Sequence, residues 1–127
     1  MAEVRTTTKY LRISPQKLRL VCDEVRGMDA NMAQATLRFM PQKGATMLLK
    51  TLKSAVANAE NNLELNPADL FIAEVYADEG PRRQWRRFGA RGRFKPLIKR
   101  SSHLTVVLRT KEAESETVAA SDMENEE

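Results

Sequence analysis

The segment from Gly80 to Arg100 most constrains the fold, because it carries nine basic residues and no acidic residue. Near its middle lies Gly89-Ala90-Arg91-Gly92, and glycine tolerates the positive φ values that tight turns require. The segments on either side, residues 69–79 and 103–111, have patterns that predict strands. Together these features predict one long β-hairpin whose distal arm, about residues 79–103, protrudes from the body of the protein.

The predicted arm carries positive charges that nothing within it neutralises. With the turn centred on positions 90 and 91, Arg86 would face Lys95 and Arg82 would face Lys99. Like charges in opposite positions destabilise a hairpin, and a two-stranded ribbon is marginal in water even without them. This charge pattern therefore predicts that the arm binds an external polyanion, and a phosphate backbone is the natural candidate. The alternative is a solvated, disordered basic loop.

The charges of the chain fall into two blocks. Residues 112–127 contain seven acidic residues and no Lys or Arg, so residues 1–111 hold 21 basic and 10 acidic residues, a net charge of +11. The length supports a single domain, residues 1–111. The acidic segment 112–127 has almost nothing to bury and predicts a disordered tail. That tail either solubilises the chain passively or weakly screens its basic body.

The sequence contains few features of an enzyme or a membrane protein. The single cysteine, Cys22, excludes an intramolecular disulfide and a CxxC metal site, and its place on an apolar helical stripe predicts a buried thiol. The only histidine, His103, has no acid near it in sequence to complete a triad. We find no nucleotide-binding or metal-binding motif and expect no catalysis, no cofactor and no metal. No apolar run approaches the ~20 residues of a membrane span and no signal peptide is visible, so a soluble intracellular protein without a membrane partner is expected.

The order of strand and helix patterns predicts an α+β fold. Residues 3–13 suit an edge strand, since β-branched and aromatic residues mix with basic ones. Ser14-Pro15 predicts a helix start and Gly27 predicts its end. Apolar residues at helical spacing predict two further helices, 31–40 and 45–63. The expected fold is a small antiparallel sheet of three strands, with three helices on one face and one long protruding β-hairpin.

The two strands that flank the arm carry different patterns. In strand 69–79 the spacing places Leu70, Ile72, Glu74 and Tyr76 on one face, and the residues of the opposite face are apolar. This pattern predicts a strand that is covered at first and leaves the core at its end. In strand 103–111 the alternation is clean and predicts one buried face.

A second basic surface surrounds the predicted start of the first helix. Arg12, Lys17, Arg19 and Arg26 lie there, and Lys17 stands where a capping box would place Glu. A basic first turn opposes the helix dipole unless an anion lies nearby. Two separated basic surfaces on a small body predict a protein embedded in folded RNA. A free-standing module whose ribbon enters a DNA groove is the alternative.

Three aromatic residues, Trp85, Phe88 and Phe94, lie among the basic residues of the arm. They could stack on unpaired bases, or they could pack against one another across the ribbon. The sequence leaves both interpretations open.

Four motifs resemble the family of bacterial ribosomal protein twenty-two of the large subunit. Their order and spacing match that family, and the resemblance covers about residues 6–109. The motifs are Arg12-Ile13-Ser14-Pro15-Gln16-Lys17-Leu18-Arg19-Leu20-Val21, the helix end Val25-Arg26-Gly27, Ser54-Ala55-Val56-Ala57-Asn58-Ala59-Glu60-Asn61-Asn62, and Glu79-Gly80-Pro81 followed by Lys99-Arg100-Ser101-Ser102-His103-Leu104-Thr105-Val106-Val107.

The resemblance implies a structural, non-enzymatic component of the large ribosomal subunit in the cytoplasm. Such a protein binds large-subunit ribosomal RNA, supports assembly of the subunit and lines the nascent-peptide exit tunnel with the tip of its hairpin. The implied partners are ribosomal RNA, neighbouring ribosomal proteins and the nascent peptide. No homo-oligomer is expected.

The candidate site residues follow from the basic pattern and from this resemblance. The candidate RNA-binding residues are Arg12, Ser14, Lys17, Arg19, Arg82, Arg83, Arg86, Arg87, Arg93, Lys95, Lys99, Arg100, Ser102 and His103. The candidate tunnel-lining tip consists of Phe88, Gly89, Ala90, Arg91 and Gly92.

The arm departs from the family pattern at two places. Gln84-Trp85 replaces the usual Lys-Arg pair, and Phe88-Gly89 replaces Pro-Arg before the tip alanine. Neighbouring arginines preserve the overall positive charge. The geometry of the tip is therefore not carried over from the family.

Overall fold

The computed structural model describes residues 3–111 and contains three helices and five strands. The acidic segment 112–127, predicted as a tail, lies outside the described residues. The elements in chain order are β1 (Glu3–Leu11), α1 (Pro15–Val25), α2 (Ala30–Phe39), α3 (Lys43–Leu63), β2 (Leu70–Glu79), β3 (Arg83–Phe88), β4 (Phe94–Lys99) and β5 (Ser102–Thr110). The predicted α+β class is confirmed.

Helix α1 begins where the sequence predicts. The Ser14 side chain accepts a hydrogen bond from the Lys17 backbone N–H at 3.4 Å, and Pro15 occupies the first turn, where its missing N–H costs nothing. The buried stripe contains Leu18, Val21, Cys22 and Val25. Apolar residues at this spacing turn one face of the helix toward the core.

Strand β5 lies in the centre of the three-stranded antiparallel sheet, in the order β1-β5-β2. Strand β1 is an edge strand, as predicted. Helices α1 and α3 contact the sheet, and Leu104, Val106 and Leu108 on this side of β5 are buried with them in the core.

The opposite face of β5 is also largely buried, which corrects the prediction of a single buried face. Val107 is 0% exposed and Thr105 is 5% exposed. Val107 lies between Arg5 on β1 and Glu74 on β2. A central strand is shielded on both sides by its neighbours, and the alternation of its own residues does not report this shielding.

A bulge in β2 changes which of its residues face the core. The pairing with β5 shifts between Ile72 and Glu74, and Val75 and Ala77 then lie on the same side as Leu70. One extra residue in a strand reverses the facing of every residue after it. The prediction that Leu70 and Ile72 share a face with Glu74 and Tyr76 is therefore wrong.

Helix α1 covers the free edge of β2. Arg19 Nε donates to the Ala77 carbonyl at 3.1 Å, and an Arg26 guanidinium nitrogen donates to the Val75 carbonyl at 2.8 Å. The Gly27 N–H donates to the Ile72 carbonyl at 3.1 Å. Carbonyl groups that an edge strand would expose are thereby satisfied within the chain.

The predicted hairpin consists of two successive ladders instead of one. Strands β2 and β5 pair as far as Glu79 and Ser102, whereas β3 and β4 form a separate two-stranded sheet. Between them the Gly80 N–H donates to the Ser101 carbonyl at 2.9 Å, and Ser101 Oγ donates to the Pro81 carbonyl at 2.8 Å. All residues of β3 are exposed, and those of β4 are exposed except one.

The two-stranded sheet of β3 and β4, which we call the outer ladder, has a register that differs by one residue from the prediction. Arg87 faces Lys95 and Arg83 faces Lys99, while Arg86 faces Pro96. The reason is the tip, whose centre is Arg91 in the left-handed region at φ +59°. Like charges still face each other across the ribbon, so these pairs also oppose pairing and favour an external anion.

We predict that Ser102→Ala destabilises the fold by about 1–3 kcal/mol, because it leaves a buried carbonyl without its donor. Ser102 is fully buried, and its Oγ donates to the Ile13 carbonyl at 2.6 Å. The neighbouring Ser101→Ala is the control, since its hydrogen bond is exposed. Urea unfolding of the two variants measures the difference, and equal losses would contradict the structural role of Ser102.

We predict that Cys22 makes stability fall at alkaline pH. Burial raises the pKa of the Cys22 thiol from 9.0 to about 11. A folded pKa above the unfolded value means that this contribution is complete below about pH 9 and is lost as the pH rises toward 11. Compared with Cys22→Ala, the wild type should lose about 2 kcal/mol more between about pH 8 and pH 10.5 in urea unfolding. Parallel pH profiles would exclude the effect.

Candidate nucleic-acid interface

A concave groove of about 1640 Å³ lies where the outer ladder leaves the body. It is bordered by the loop before α1, the first turns of α1 and α3, and the segments that connect the two ladders. The basic residues that line it are Arg12, Lys17, Arg19, Lys43, Arg83, Lys99 and Arg100. The two basic surfaces predicted as separate thus meet at the root of the arm, where the pairing of β2 with β5 ends and that of β3 with β4 begins. The tip lies beyond both surfaces.

Among residues 3–111, the one acidic residue that lines the groove is already paired. Glu79 forms ion pairs with Arg82 and with Arg100, the latter at 3.7 Å. Within residues 3–111, neither Lys17 nor Arg83 forms an ion pair. The groove therefore presents an excess of positive charge.

Two helix N-termini point into this charge excess. The starts of α1 and α3 both line the groove, and neither helix has an acidic residue in its first turn. Gly44 permits the approach, because a Cβ there would lie 3.2 Å from Val21 and 3.3 Å from Leu18. Helix dipoles and free N–H groups at such ends favour anions.

The sequence prediction missed the part of the groove formed by α3. Gln42 and Lys43 line it, and Lys43 Nζ donates to the Arg12 carbonyl at 3.2 Å. The sequence predicted that this helix begins at residue 45, two residues too late, so its first turn with a lysine and no acid was not recognised. What the sequence did not reveal is that α3 starts beside α1.

Several predicted site residues have tasks within the chain. Arg19 lies at the groove but donates its Nε to β2, so its remaining N–H groups are those left for a ligand. The prediction that Ser102 binds RNA is corrected, because its buried hydroxyl donates to the Ile13 carbonyl and is unavailable to an external ligand. Ser14 caps α1 with its side chain and also lines the groove.

His103 lies beside Tyr10, which borders the groove. Its Nδ1 accepts a hydrogen bond from the Tyr10 backbone N–H at 3.1 Å, so the neutral ring carries its proton on Nε2. The two rings meet edge to face, with centroids 5.0 Å apart. His103 therefore orients Tyr10 and retains one donor, at Nε2.

The outer ladder has two faces of different character. Arg83, Arg87, Lys95 and Lys99 lie on one face with the Trp85–Leu97 pair, since paired residues share a face and faces alternate along a strand. The residues on the second face of β3 and β4 are exposed, the predicted cation Arg86 among them, and the predicted cation Arg93 just before β4 is exposed too. The tip residues 88–92 are exposed as well, except Gly89, which is half-buried.

On the second face, Phe88 and Phe94 pack against each other. Their ring centroids are 5.2 Å apart, and the Arg86 guanidinium lies 5.9 Å from the centroid of Phe94. For this pair the structure favours packing across the ribbon, one of the two interpretations that the sequence left open.

Two other kinds of site are not found in the part of the chain that the structure describes. Residues 3–111 contain no group of three or more His, Cys, Asp or Glu side chains that could hold a metal ion. None of the helices in this range is long and apolar enough to cross a membrane.

The fold and the groove define a small, basic α+β protein with a surface suited to a polyanion. Residues 6–109 match the family of ribosomal protein L22p/L17e, and the chain belongs to this family. It is 50% identical over 111 residues to the large ribosomal subunit protein uL22 of Chloroflexus aggregans, covering 86% of this chain and 96% of that protein. The uL22 protein of Clostridium tetani is 47% identical over 110 residues, covering 87% and 99%. That of Petrotoga mobilis is 45% identical over 116 residues, covering 90% and 76%.

We predict that Lys43→Gln weakens binding to a single-stranded RNA of about 12 nucleotides and lowers the salt slope of log K by about 0.7, the amount expected for one lost phosphate contact. Lys53→Gln removes the same charge from an exposed position of α3 that does not line the groove. It should leave the slope unchanged. Fluorescence anisotropy across a salt series measures both variants, and equal effects would mean that only net charge matters.

Proposed function

We propose that this protein is a structural component of the large ribosomal subunit, where it binds ribosomal RNA and contacts neighbouring ribosomal proteins. Its membership of the L22p/L17e family and its similarity to large-subunit proteins uL22 support this role. The role is structural and not catalytic, and it is carried out in the cytoplasm as part of the ribosome.

The groove is the observation that carries the RNA-binding proposal. It joins two helix N-termini without acidic residues in their first turns, seven basic side chains and the root of the arm in one concavity, where the carboxylate of Glu79 is already paired. A folded RNA supplies phosphates at several depths of such a concavity, whereas a straight duplex presents them on a convex rod. Positive residues on all sides favour a partner that surrounds the arm root.

The exposed arm supports the same proposal, because it is only marginally stable without a partner. Strands β3 and β4 form a two-stranded sheet with Arg83 opposite Lys99 and Arg87 opposite Lys95. A ribbon of this kind is marginal in water, and its like charges oppose pairing. Phosphates around the arm convert this repulsion into attraction, so RNA both binds the arm and stabilises it.

We also propose that the tip, residues 88–92, lines the nascent-peptide exit tunnel. This assignment rests on the resemblance of the flanking arm motifs and on the exposure of the tip. With Phe88 packed on Phe94, the tip presents a left-handed turn at Arg91 to the peptide path.

A comparison of RNA with DNA tests the proposed function. We expect the purified protein to bind large-subunit ribosomal RNA at salt concentrations where binding to duplex DNA of matched charge has vanished. Filter binding across a salt series measures both. Equal affinity and equal salt slope for the two polymers would show a general polyanion binder and would overturn the proposal.

Sedimentation of a cell extract gives an independent check. A subunit component travels with large subunits through a gradient at low salt and remains with them after a moderate salt wash. Recovery of the protein only in the soluble fraction would contradict assembly into the subunit, whatever its affinity for free RNA.

A further inference from the structure

We propose that Trp85 is a stacking platform for one unpaired nucleobase, held between two rows of cations that bind the flanking phosphates. The inference deepens the proposed RNA-binding function and rests on it. It assigns to the groove a second kind of contact, with a base instead of the backbone.

The first argument is the arrangement of one face of the outer ladder. Trp85 pairs with Leu97 in the middle row. The row on one side contains Arg83 and Lys99, and the row on the other side contains Arg87 and Lys95. Successive residues on one face of a strand lie about 6.6 Å apart, so the two cation rows are about 13 Å apart with the indole between them.

The second argument is the surroundings of the indole. Trp85 is 56% exposed and lines the groove. The Lys99 ammonium lies 5.8 Å from its ring centroid, and within residues 3–111 no other aromatic ring packs against it. Phe88 and Phe94, by contrast, pack against each other. Trp85 is therefore the aromatic residue of the arm whose surface is left for a ligand.

The chemistry of the three rows fits a single-stranded segment of RNA. Every base has a π face that stacks on an aromatic ring, and Trp is a large and rigid platform. Bases within a duplex are already stacked, so the platform takes an unpaired base. The Arg83 and Arg87 guanidinium groups on either side bind the phosphates before and after that base, in the bidentate geometry that Arg favours.

A structural role for Trp85 is the competing explanation. Leu97 is the one half-buried side chain of β4, and Trp85 lies opposite it. The ring therefore shields Leu97 from water to some extent. A test has to separate apolar cover from aromatic stacking.

The intrinsic fluorescence of the protein supplies a direct test, because Trp85 is its only tryptophan. The full-length protein is titrated with a single-stranded RNA of about 12 nucleotides and with an abasic ribose-phosphate oligomer of equal length and charge. We expect strong quenching by the RNA and little change with the abasic oligomer. Equal quenching by both would overturn the inference, since phosphate alone would then account for the signal.

Two substitutions separate stacking from cover. Trp85→Phe keeps an aromatic face, whereas Trp85→Leu keeps an apolar side chain over Leu97 without one. Binding of a labelled RNA, followed by anisotropy, should weaken about tenfold in Trp85→Leu and much less in Trp85→Phe, with the salt slope unchanged in both. Thermal unfolding of the RNA-free variants shows whether the fold is kept. Equal affinity of Trp85→Leu and the wild type would overturn the inference.

The matched control for charge is Arg83→Gln, which should lower the salt slope and leave the preference for RNA over the abasic oligomer intact. The outcomes also separate the two proposals. If Trp85→Leu binds RNA as tightly as the wild type, the stacking inference fails and the RNA-binding function stands. If the wild type does not bind RNA at all, both fail.

Discussion

The pairing of β5 with both β1 and β2 is the constraint on which the rest of the structure depends. Strand β5 is central in the sheet, is buried on both faces over most of its length, and begins directly after the arm returns. At its first residue, Ser102 donates to the Ile13 carbonyl and fixes the loop before α1 beside the arm root. One buried strand thus determines where the arm leaves the body and which loop lies next to it.

The groove follows from this anchoring together with close helix packing. Gly44 lets the start of α3 approach Val21 and Leu18 of α1, so two helix ends without acidic residues meet at one place. Their partial positive charges add to those of the basic side chains. The body of the protein is stable through its core, whereas the groove and arm keep like charges close together, a repulsion that a bound anion would relieve. Stability and function are therefore located in different parts of the chain.

The sequence predicted the elements well and their mutual arrangement less well. Ser14-Pro15 and the apolar spacing that follows located α1, because capping and helical periodicity are local properties. The bulge between Ile72 and Glu74 was not predicted, since neither residue is unusual for a strand and the shift is visible only against β5. The predicted register of the outer ladder was wrong by one residue. The left-handed conformation is adopted by Arg91 as well as Gly92, and this places the centre of the tip at Arg91.

The sequence by itself determined the family, the α+β class, the charge of the arm and the start of α1, because each depends on residues close together in the chain. Only the tertiary structure decided that the two basic surfaces form one groove, that Lys43 belongs to it, and that Ser102 does not. Each of these depends on contacts between segments tens of residues apart, such as Lys43 with Arg12 and Ser102 with Ile13. Local patterns report which face of an element is apolar, but the packing of the core decides which elements lie side by side.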